Sequence, residues 1–285
     1  MDLKRFELRI QRSENLPVLP QIVTQVLGVA NKNDSTIRDL EKIIETDTAI
    51  AGKILRVANS AYYGTGGHCA TLSNAVSMLG FNTIRALMVS LAYYQLTASN
   101  ASSEHFSKSE LWKHGLAVAT GCSIIGKIIM PLETEELFIA GLLHDVGYML
   151  MDMYSPRDLD RVIKAARVES KPVHEMEETL LGWGHTDAGE VLARKWNLPP
   201  MIAAAIIYHH KPIMAEENQK TAAIVGLSDH LAHECGFTNS AGAAQRELDP
   251  FILETLEMPE DQLNITRELI VDEVVKVQEA YSIAS

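Results

Sequence analysis

Apolar residues recur along the chain at spacings of three and four positions, which is the period of an amphipathic α-helix. Residues 37–44 follow this spacing, and so do residues 22–29. Asp47 or Thr48 is a suitable N-cap for a further helix directly after the first of these stretches. The N-terminal part of the chain is therefore predicted to be a series of short helices.

The same period predicts helices through the rest of the chain. Thr71 or Ser73 is a suitable start for a short helix that ends near Gly80. Longer helices are predicted over residues 83–96, 107–129, 133–153, 156–169, 173–181, 187–196, 200–209, 219–235 and 259–282. No run alternates apolar and polar residues as a half-buried strand does, and no Asn-Gly or Asp-Gly pair joins two such runs. The predicted fold class is all-α.

One polar stretch interrupts the helical pattern near the middle of the chain. Residues 97–104 read TASNASSE, and segments rich in Ser and Asn seldom contribute to a core. We therefore predict two parts, an N-terminal helical subdomain over residues 1–102 and a second helical subdomain over residues 103–285.

Composition and charge narrow the classes of function. The 285 residues include 25 Lys and Arg against 37 Asp and Glu, a formal charge of −12, and 47% are hydrophobic. Extensive disorder is not expected, and neither is a nucleic-acid partner, because phosphate binding depends on clustered Lys and Arg. The apolar stretches are shorter than the roughly 18 residues of a membrane span, and no signal peptide is apparent. We expect a cytoplasmic protein without a membrane partner.

The most informative polar residues form an ordered series of histidines and carboxylates. The series consists of Glu110, His114, His144, Asp145, His185, His209, His210 and Asp229. Glu110 precedes His114 by four positions, so both side chains are expected on one face of a helix. His144 and Asp145 interrupt an apolar stretch, where an unpaired polar group costs about 1–3 kcal/mol. Imidazole and carboxylate are ligands that suit zinc, iron and manganese, so the series predicts a metal site built from several helices.

Each member of the series also has a structural interpretation when it is taken alone. A single buried histidine such as His114 is often simply hydrogen-bonded, and His209 and His210 at a helix end could stabilise its dipole. The order of the whole series favours metal binding over these alternatives. The other histidines are interpreted as structural or surface residues; these are His68, His105, His174, His230 and His233. Three acidic residues are interpreted as a solvated helix face; these are Glu175, Glu177 and Glu178.

Five separated segments, together with the order His114, His144–Asp145, Asp229, resemble a known family. The segments are LPVLPQIVTQVL at 16–27, IETDTAIAGKILRVANSAYYG at 44–64, LSNAVSMLGFNTIRALMVSLA at 72–92, LFIAGLLHDVG at 137–147 and GHTDAGEVLARKWNLPPMIAAAIIYHH at 184–210. They resemble the HDOD (HD-related output domain) family within the HD superfamily of metal-dependent phosphohydrolases. The resemblance implies an HD-superfamily helical bundle over 103–285 preceded by an N-terminal helical subdomain.

The resemblance also implies roles for individual residues. The ligand series is similar to that of HD-GYP cyclic-dinucleotide phosphodiesterases, which use two or three iron-type metals. Carried over, Asp145 would bridge two ions and His144 and Asp145 would serve catalysis. One ion would be held by His114, His144 and Asp229, the second by His185, His209 and His210, and Glu110 would contribute to a third. Iron is the favoured metal, with manganese, zinc and nickel as alternatives.

Two features differ from the HD-GYP pattern and weigh against a cyclic dinucleotide substrate. The paired histidines are followed by KPIMAEENQK rather than by a GYP tripeptide, and Tyr148 stands where a lysine follows the HD motif. Two functions therefore stay open. The first is a bacterial signalling protein that hydrolyses a phosphorylated small molecule at its metal centre. The second is a non-catalytic output module that contains metal and binds a signalling protein or a nucleotide. A helical adaptor without metal is the third alternative, and the oligomeric state is left open.

Overall fold

The computed structural model describes residues 1–13, 37–60, 63–64, 68–98, 102–242 and 247–282. Regular structure within these ranges is helical and includes no strand, which confirms the all-α fold class. In chain order the α-helices are α1 (Leu3–Gln11), α2 (Ile37–Glu45), α3 (Thr48–Ala58), α4 (Leu72–Leu79), α5 (Phe81–Thr97), α6 (Lys108–Ile129), α7 (Thr134–Leu143), α8 (Gly147–Tyr154), α9 (Pro156–Glu169), α10 (Val173–Leu181), α11 (His185–Lys195), α12 (Pro200–Tyr208), α13 (Gln219–Glu234), α14 (Pro250–Leu256) and α15 (Glu260–Ser282). Short 3-10 helices cover Pro131–Glu133 and Pro212–Asn218.

The chain divides into two compact units. One contains Met1–Pro17 and Thr97–Val271, and the other contains Val18–Leu96 and Asp272–Ser285. The predicted division into subdomains at residues 102 and 103 stays a prediction. The compact units do not follow that division, because the N-terminal helix α1 groups with the histidine-bearing part of the chain.

Two helices of the smaller unit, α3 and α4, begin at residues whose side chains cap them. The Asp47 side chain accepts hydrogen bonds from the first backbone N–H groups of α3, at 3.0 Å from both Ala49 and Ile50. The Thr71 hydroxyl accepts one from the backbone N–H of Asn74 in α4. Both caps agree with the sequence prediction, because a side-chain oxygen satisfies N–H groups that the helix itself leaves unpaired. The helix predicted over residues 22–29 lies outside the described residues.

Helix α1, which the apolar period did not predict, packs in the larger unit through its aromatic residue. The rings of Phe6 and Trp183 lie 4.5 Å apart, and the Trp183 indole N–H donates to the backbone oxygen of Met1 at 2.8 Å. The Arg9 guanidinium donates to the backbone oxygen of Tyr154 at 2.7 Å. A helix this short is stabilised mainly by such packing and only weakly by intrinsic propensity.

The single helix predicted over residues 133–153 is wrong, because α7 ends at Leu143 and α8 begins at Gly147. Between them the backbone N–H of Val146 bonds to the oxygen of Leu143, and that of Tyr148 to the oxygen of Asp145. These bonds span three residues, so the chain tightens into a turn at this point. The turn carries the His144–Asp145 pair, and its hydrogen bonds are not visible in the apolar pattern.

Gly147 allows α8 to approach α11 closely. A Cβ atom at this position would overlap the backbone oxygen of His185 and would lie 2.7 Å from the backbone nitrogen of Gly189. Backbone atoms cannot move aside as a flexible side chain can. The absence of a side chain at Gly147 therefore fixes the distance between the turn at Asp145 and the start of α11.

Among the described residues, no single helix has both the length and the apolar character to cross a membrane. The bent pair α4 and α5, whose axes differ by 114°, passes that test only when the two are taken together.

We expect Gly147→Ala to lower the free energy of unfolding by about 1–3 kcal/mol, the usual effect of overpacking a filled contact. Gly52, within α3, is a matched control because a Cβ atom there would meet no atom of the described residues within 4 Å. Gly52→Ala should stabilise the protein by about 0.4–1 kcal/mol. Chemical denaturation followed by circular dichroism measures both changes, and an unaltered transition for Gly147→Ala would contradict the close approach.

Candidate metal centre

The larger unit brings most of the histidine and carboxylate series to one place. His144 and Asp145 lie in the turn between α7 and α8, and His185 is the first residue of α11. The others lie on neighbouring elements: His114 on α6, His209 and His210 directly after α12, and Asp229 on α13. All of them are buried or half-buried. The series therefore converges from five separate elements, as a metal site in a helical fold requires.

Asp145 lies at the centre of this cluster, and its two carboxylate oxygens face different histidines. Oδ2 lies 3.4 Å from Nε2 of His144 and 3.7 Å from Nε2 of His114. Oδ1 lies 3.3 Å from Nε2 of His185 and 3.7 Å from Nε2 of His209. One carboxylate is thus shared between two groups of imidazoles.

The Oδ2 side is completed by a second carboxylate. Oδ1 of Asp229 lies 3.1 Å from Nε2 of His114 and 3.7 Å from Nε2 of His144. The ligand atoms of these three residues all lie within 4.8 Å of one another. We call this group the carboxylate-rich half of the site.

The Oδ1 side consists of three histidines. Nε2 of His185 lies 3.4 Å from Nε2 of His209 and 3.2 Å from Nε2 of His210. The ligand atoms of these residues also lie within 4.8 Å of one another. We call this group the three-histidine half of the site.

Hydrogen bonds at the other ring nitrogen fix which atom of each histidine faces the centre. Three Nδ1 atoms lie against backbone oxygens: His114 against Phe237 (2.6 Å), His144 against Gly141 (2.7 Å) and His209 against Ala205 (2.9 Å). A carbonyl oxygen can only accept, so Nδ1 carries the proton in each ring. In the neutral imidazole, Nε2 then presents a lone pair to the site. This tautomer is the one required of a metal ligand that coordinates through Nε2.

Several polar atoms at the centre make no hydrogen bond of good geometry with the described residues. Nε2 of His114, Nε2 of His144 and Oδ1 of Asp229 are buried in this way, although the carboxylate oxygen lies only 3.1–3.7 Å from the two ring nitrogens. In the three-histidine half, neutral rings would direct nitrogen lone pairs at one another across 3.2–3.4 Å. A buried unpaired polar atom is costly, and a cation between these atoms would satisfy all of them. The donor set therefore fits divalent transition metals.

The charges inside the cluster shift its pKa values strongly. Burial lowers the pKa of His144, but the adjacent Asp145 carboxylate outweighs this and raises it to about 10. Burial raises the pKa of Asp145, but the charge of His144 holds it well below its usual range. Burial and the charge of His144 lower the pKa of His209 to about 3. Without a metal, protons on some rings balance the buried carboxylate, and metal binding would displace them.

Glu110 is not brought to the cluster. Its side chain is exposed, although it precedes His114 by one helical turn. Among the described residues it belongs to neither half of the site, and the groups of potential ligands do not include it. The i, i+4 spacing places two residues on the same side of a helix, but here only His114 faces the core.

Sequence reasoning missed several residues that contact the site. Glu177, interpreted as part of a solvated face, is 1% exposed, and its Oε2 lies 2.7 Å from Nδ1 of His185. The Asn239 amide donates to Oδ2 of Asp145 at 2.5 Å. The ring of His233 packs 4.8 Å from that of His114. A signal for Glu177 existed, since it falls at the i+4 position from buried Val173 in α10. Asn239 lies in a loop, where no periodicity applies.

A cavity of about 70 Å³ opens beside the cluster. Its lining includes Asp145, Tyr148, Asn239 and Asp249. Pockets that enclose drug-sized ligands have volumes of about 300–1,000 Å³. The cavity, as bounded by the described residues, therefore has room for ions, water and a single phosphoryl group beside the cluster.

The chain matches a known domain family over most of its length. A family model described as the HDOD domain matches residues 16–212. An uncharacterised protein of Treponema pallidum (strain Nichols) is 25% identical over 218 residues, which cover 73% of this chain and 40% of that protein. Bacillus subtilis (strain 168) YuxH, also uncharacterised, is 22% identical over 55% of this chain and 36% of its own length. The match thus spans less than half the length of these curated relatives.

Solved structures share the fold. An HDOD domain protein of unknown function from Geobacter sulfurreducens has a TM-score of 0.76 at 23% identity, over 99% of this chain and 95% of its own. A candidate phosphohydrolase from Shewanella amazonensis SB2B has a TM-score of 0.72 at 24% identity, over 96% and 97%. A candidate signal transduction protein from Marinobacter aquaeolei VT8 has a TM-score of 0.79 at 19% identity, over 98% and 65%.

We expect Glu110→Gln to bind as many divalent ions per chain as the unaltered protein, because the carboxylate is exposed and outside both halves of the site. Asp145→Ala, which removes the shared carboxylate, should lose bound metal. Elemental analysis of anaerobically purified variants measures both. The loss of one ion per chain from Glu110→Gln would contradict the structure and favour the third ion implied by the sequence.

Proposed function

The chain belongs to the HDOD family, and from this premise we propose that it is a bacterial signal-transduction protein with a metal-dependent phosphohydrolase site. Its HD-type part would hold two divalent ions, with iron favoured over manganese, zinc and nickel. The substrate would be a phosphate ester of a small molecule. The Shewanella protein is described as a candidate phosphohydrolase and the Marinobacter protein as a candidate signal transduction protein. These descriptions apply to those proteins, and they motivate the enzymatic part and the signalling part of this proposal.

The observation that supports the proposal best is the convergence of imidazole Nε2 atoms on both oxygens of Asp145. Four of these atoms lie 3.3–3.7 Å from one or the other oxygen. Three of the rings are oriented by backbone carbonyls, so in the neutral imidazole their inward nitrogens are acceptors. A buried structural histidine usually has its second ring nitrogen hydrogen-bonded by the protein. Nε2 of His114 and Nε2 of His144 make no such bond with any described residue.

The residues of the two halves of the site would have different roles. Asp145 would bridge the two ions, one held by the carboxylate-rich half and one by the three-histidine half. Bound ions of this kind supply a hydroxide at neutral pH and neutralise charge on phosphoryl oxygens. The protein's own part is to hold the ligands in place, to orient each imidazole and to leave room for the reacting group beside them. Asn239, which donates to Asp145, would restrain the bridging carboxylate.

One observation favours the second function, a non-catalytic output module that contains metal and binds a protein or a nucleotide. The cavity of about 70 Å³ has no Lys or Arg among its described lining residues. Tyr148, which stands in the place of the HD-GYP lysine, is buried and stacks on His185. A site that lacks a side-chain cation for phosphate would depend on its metals alone to bind the substrate.

Metal content is the first test of the proposal. We expect protein purified without oxygen to contain close to two divalent ions per chain. Negligible metal would contradict the proposal and favour a helical adaptor.

Turnover separates the enzyme from the output module. We expect hydrolysis of a generic phosphodiester such as bis(p-nitrophenyl) phosphate, reduced to background by His144→Ala and by Asp145→Ala. His68→Ala and Asp261→Ala change exposed residues outside the site and should retain full activity. Circular dichroism verifies that the inactive variants fold. Metal-loaded protein without turnover on phosphodiesters or phosphomonoesters would contradict the enzymatic function and favour the output module.

A further inference from the structure

Glu177 differs from the groups that orient the other site histidines. His114, His144 and His209 have Nδ1 against a neutral backbone oxygen. His185 instead has Nδ1 against the Glu177 carboxylate at 2.7 Å. A charged acceptor forms a stronger hydrogen bond and makes the opposite ring nitrogen a better electron donor to a metal.

The same carboxylate also fixes the start of α11. Oε2 of Glu177 accepts the backbone N–H of His185 at 3.0 Å, in addition to the ring bond. On its face, the His185 ring stacks on Tyr148 at 4.3 Å with the planes 16° apart. His185 is therefore held at its backbone, at Nδ1 and on one face, which leaves Nε2 directed at His209 and His210.

The burial of Glu177 is costly, and this cost indicates a role beyond packing. Its other oxygen, Oε1, is buried and makes no hydrogen bond of good geometry with the described residues. An uncompensated buried carboxylate oxygen destabilises the fold, and an amide or an apolar residue would carry less of this penalty. The adjacent Glu178 is 73% exposed and pairs with Lys211 at 3.4 Å. A glutamate on α10 can therefore remain in solvent, and the burial of Glu177 needs a separate explanation.

We propose that Glu177 is a positioning residue that sets the metal affinity of the three-histidine half of the site and not of the carboxylate-rich half. This inference depends on the proposed metal centre. Glu177 acts through His185, whose Nε2 belongs to the three-histidine half. The described hydrogen bonds and ion pairs of Glu177 include none to His114, His144 or Asp229. Loss of its charge should therefore weaken one ion and leave the other nearly unchanged.

The experiment titrates the metal-free full chain with Mn²⁺ under anaerobic conditions and counts free ions by electron paramagnetic resonance. Glu177→Gln preserves the shape and removes the charge, and Glu178→Gln is the matched control on the next residue. We expect Glu177→Gln to weaken one of two binding events by about 10–100-fold, the usual effect of losing an outer partner of a ligand. Glu178→Gln should reproduce the unaltered chain.

A second variant keeps the carboxylate but displaces it. A Cβ atom at Gly184 would overlap Oε2 of Glu177, and Gly184 has a φ of −140°, which alanine adopts freely. Gly184→Ala should therefore weaken the same binding event as Glu177→Gln. It keeps the inference testable if Glu177→Gln does not fold, which circular dichroism of the metal-free chain would reveal.

A double-mutant cycle tests whether Glu177 acts through His185. In a His185→Ala background, Glu177→Gln should have no further effect on Mn²⁺ binding, whereas in an Asp229→Asn background its effect should persist. Unchanged Mn²⁺ binding in both Glu177→Gln and Gly184→Ala would overturn this inference and leave the proposed metal centre standing. The same holds if Glu177→Gln weakens Mn²⁺ binding equally in the His185→Ala background. Failure of the unaltered chain to bind Mn²⁺ would overturn the proposed metal centre and the inference with it.

Discussion

The structure of the larger unit depends on a buried carboxylate that is surrounded by imidazole nitrogens. Asp145 is 4% exposed, and its oxygens face His144 and His185 on opposite sides. A charge in such a place destabilises a fold unless compensating groups or a cation neutralise it. The surrounding elements supply that compensation, and this requirement explains why five elements of the larger unit meet at a polar centre inside a mostly apolar core.

The backbone around Asp145 is arranged to satisfy this constraint. The turn between α7 and α8 directs His144 and Asp145 inward, and Gly147 brings α8 close enough to α11 for His185 to reach the same centre. The orientation of the rings comes from backbone carbonyls and from Glu177, so helix geometry and hydrogen bonding together set the direction of each Nε2 atom. A histidine at the right position but with the wrong tautomer would present an N–H group to the centre and could not coordinate a metal through that nitrogen.

Much of this could be predicted from the sequence, and the failures have physical causes. Helices α9 and α10 match the predicted bounds, because their apolar faces repeat regularly between clear start and stop signals. Periodicity did not reveal the turn after Leu143, since a polar pair within an apolar run looks the same in a continuous helix. It also could not decide which of two residues one turn apart faces inward, so Glu110 was grouped with His114. Glu177 was misjudged because its charge received more weight than its position.

Magnetic coupling between bound ions is the most direct test of the central claim that Asp145 is shared by two metals. We expect the Mn²⁺-loaded chain to give the electron paramagnetic resonance spectrum of an exchange-coupled pair. Asp145→Asn should convert this spectrum into that of isolated ions or remove bound Mn²⁺. An isolated-ion spectrum from the unaltered chain, at full metal loading, would contradict the account.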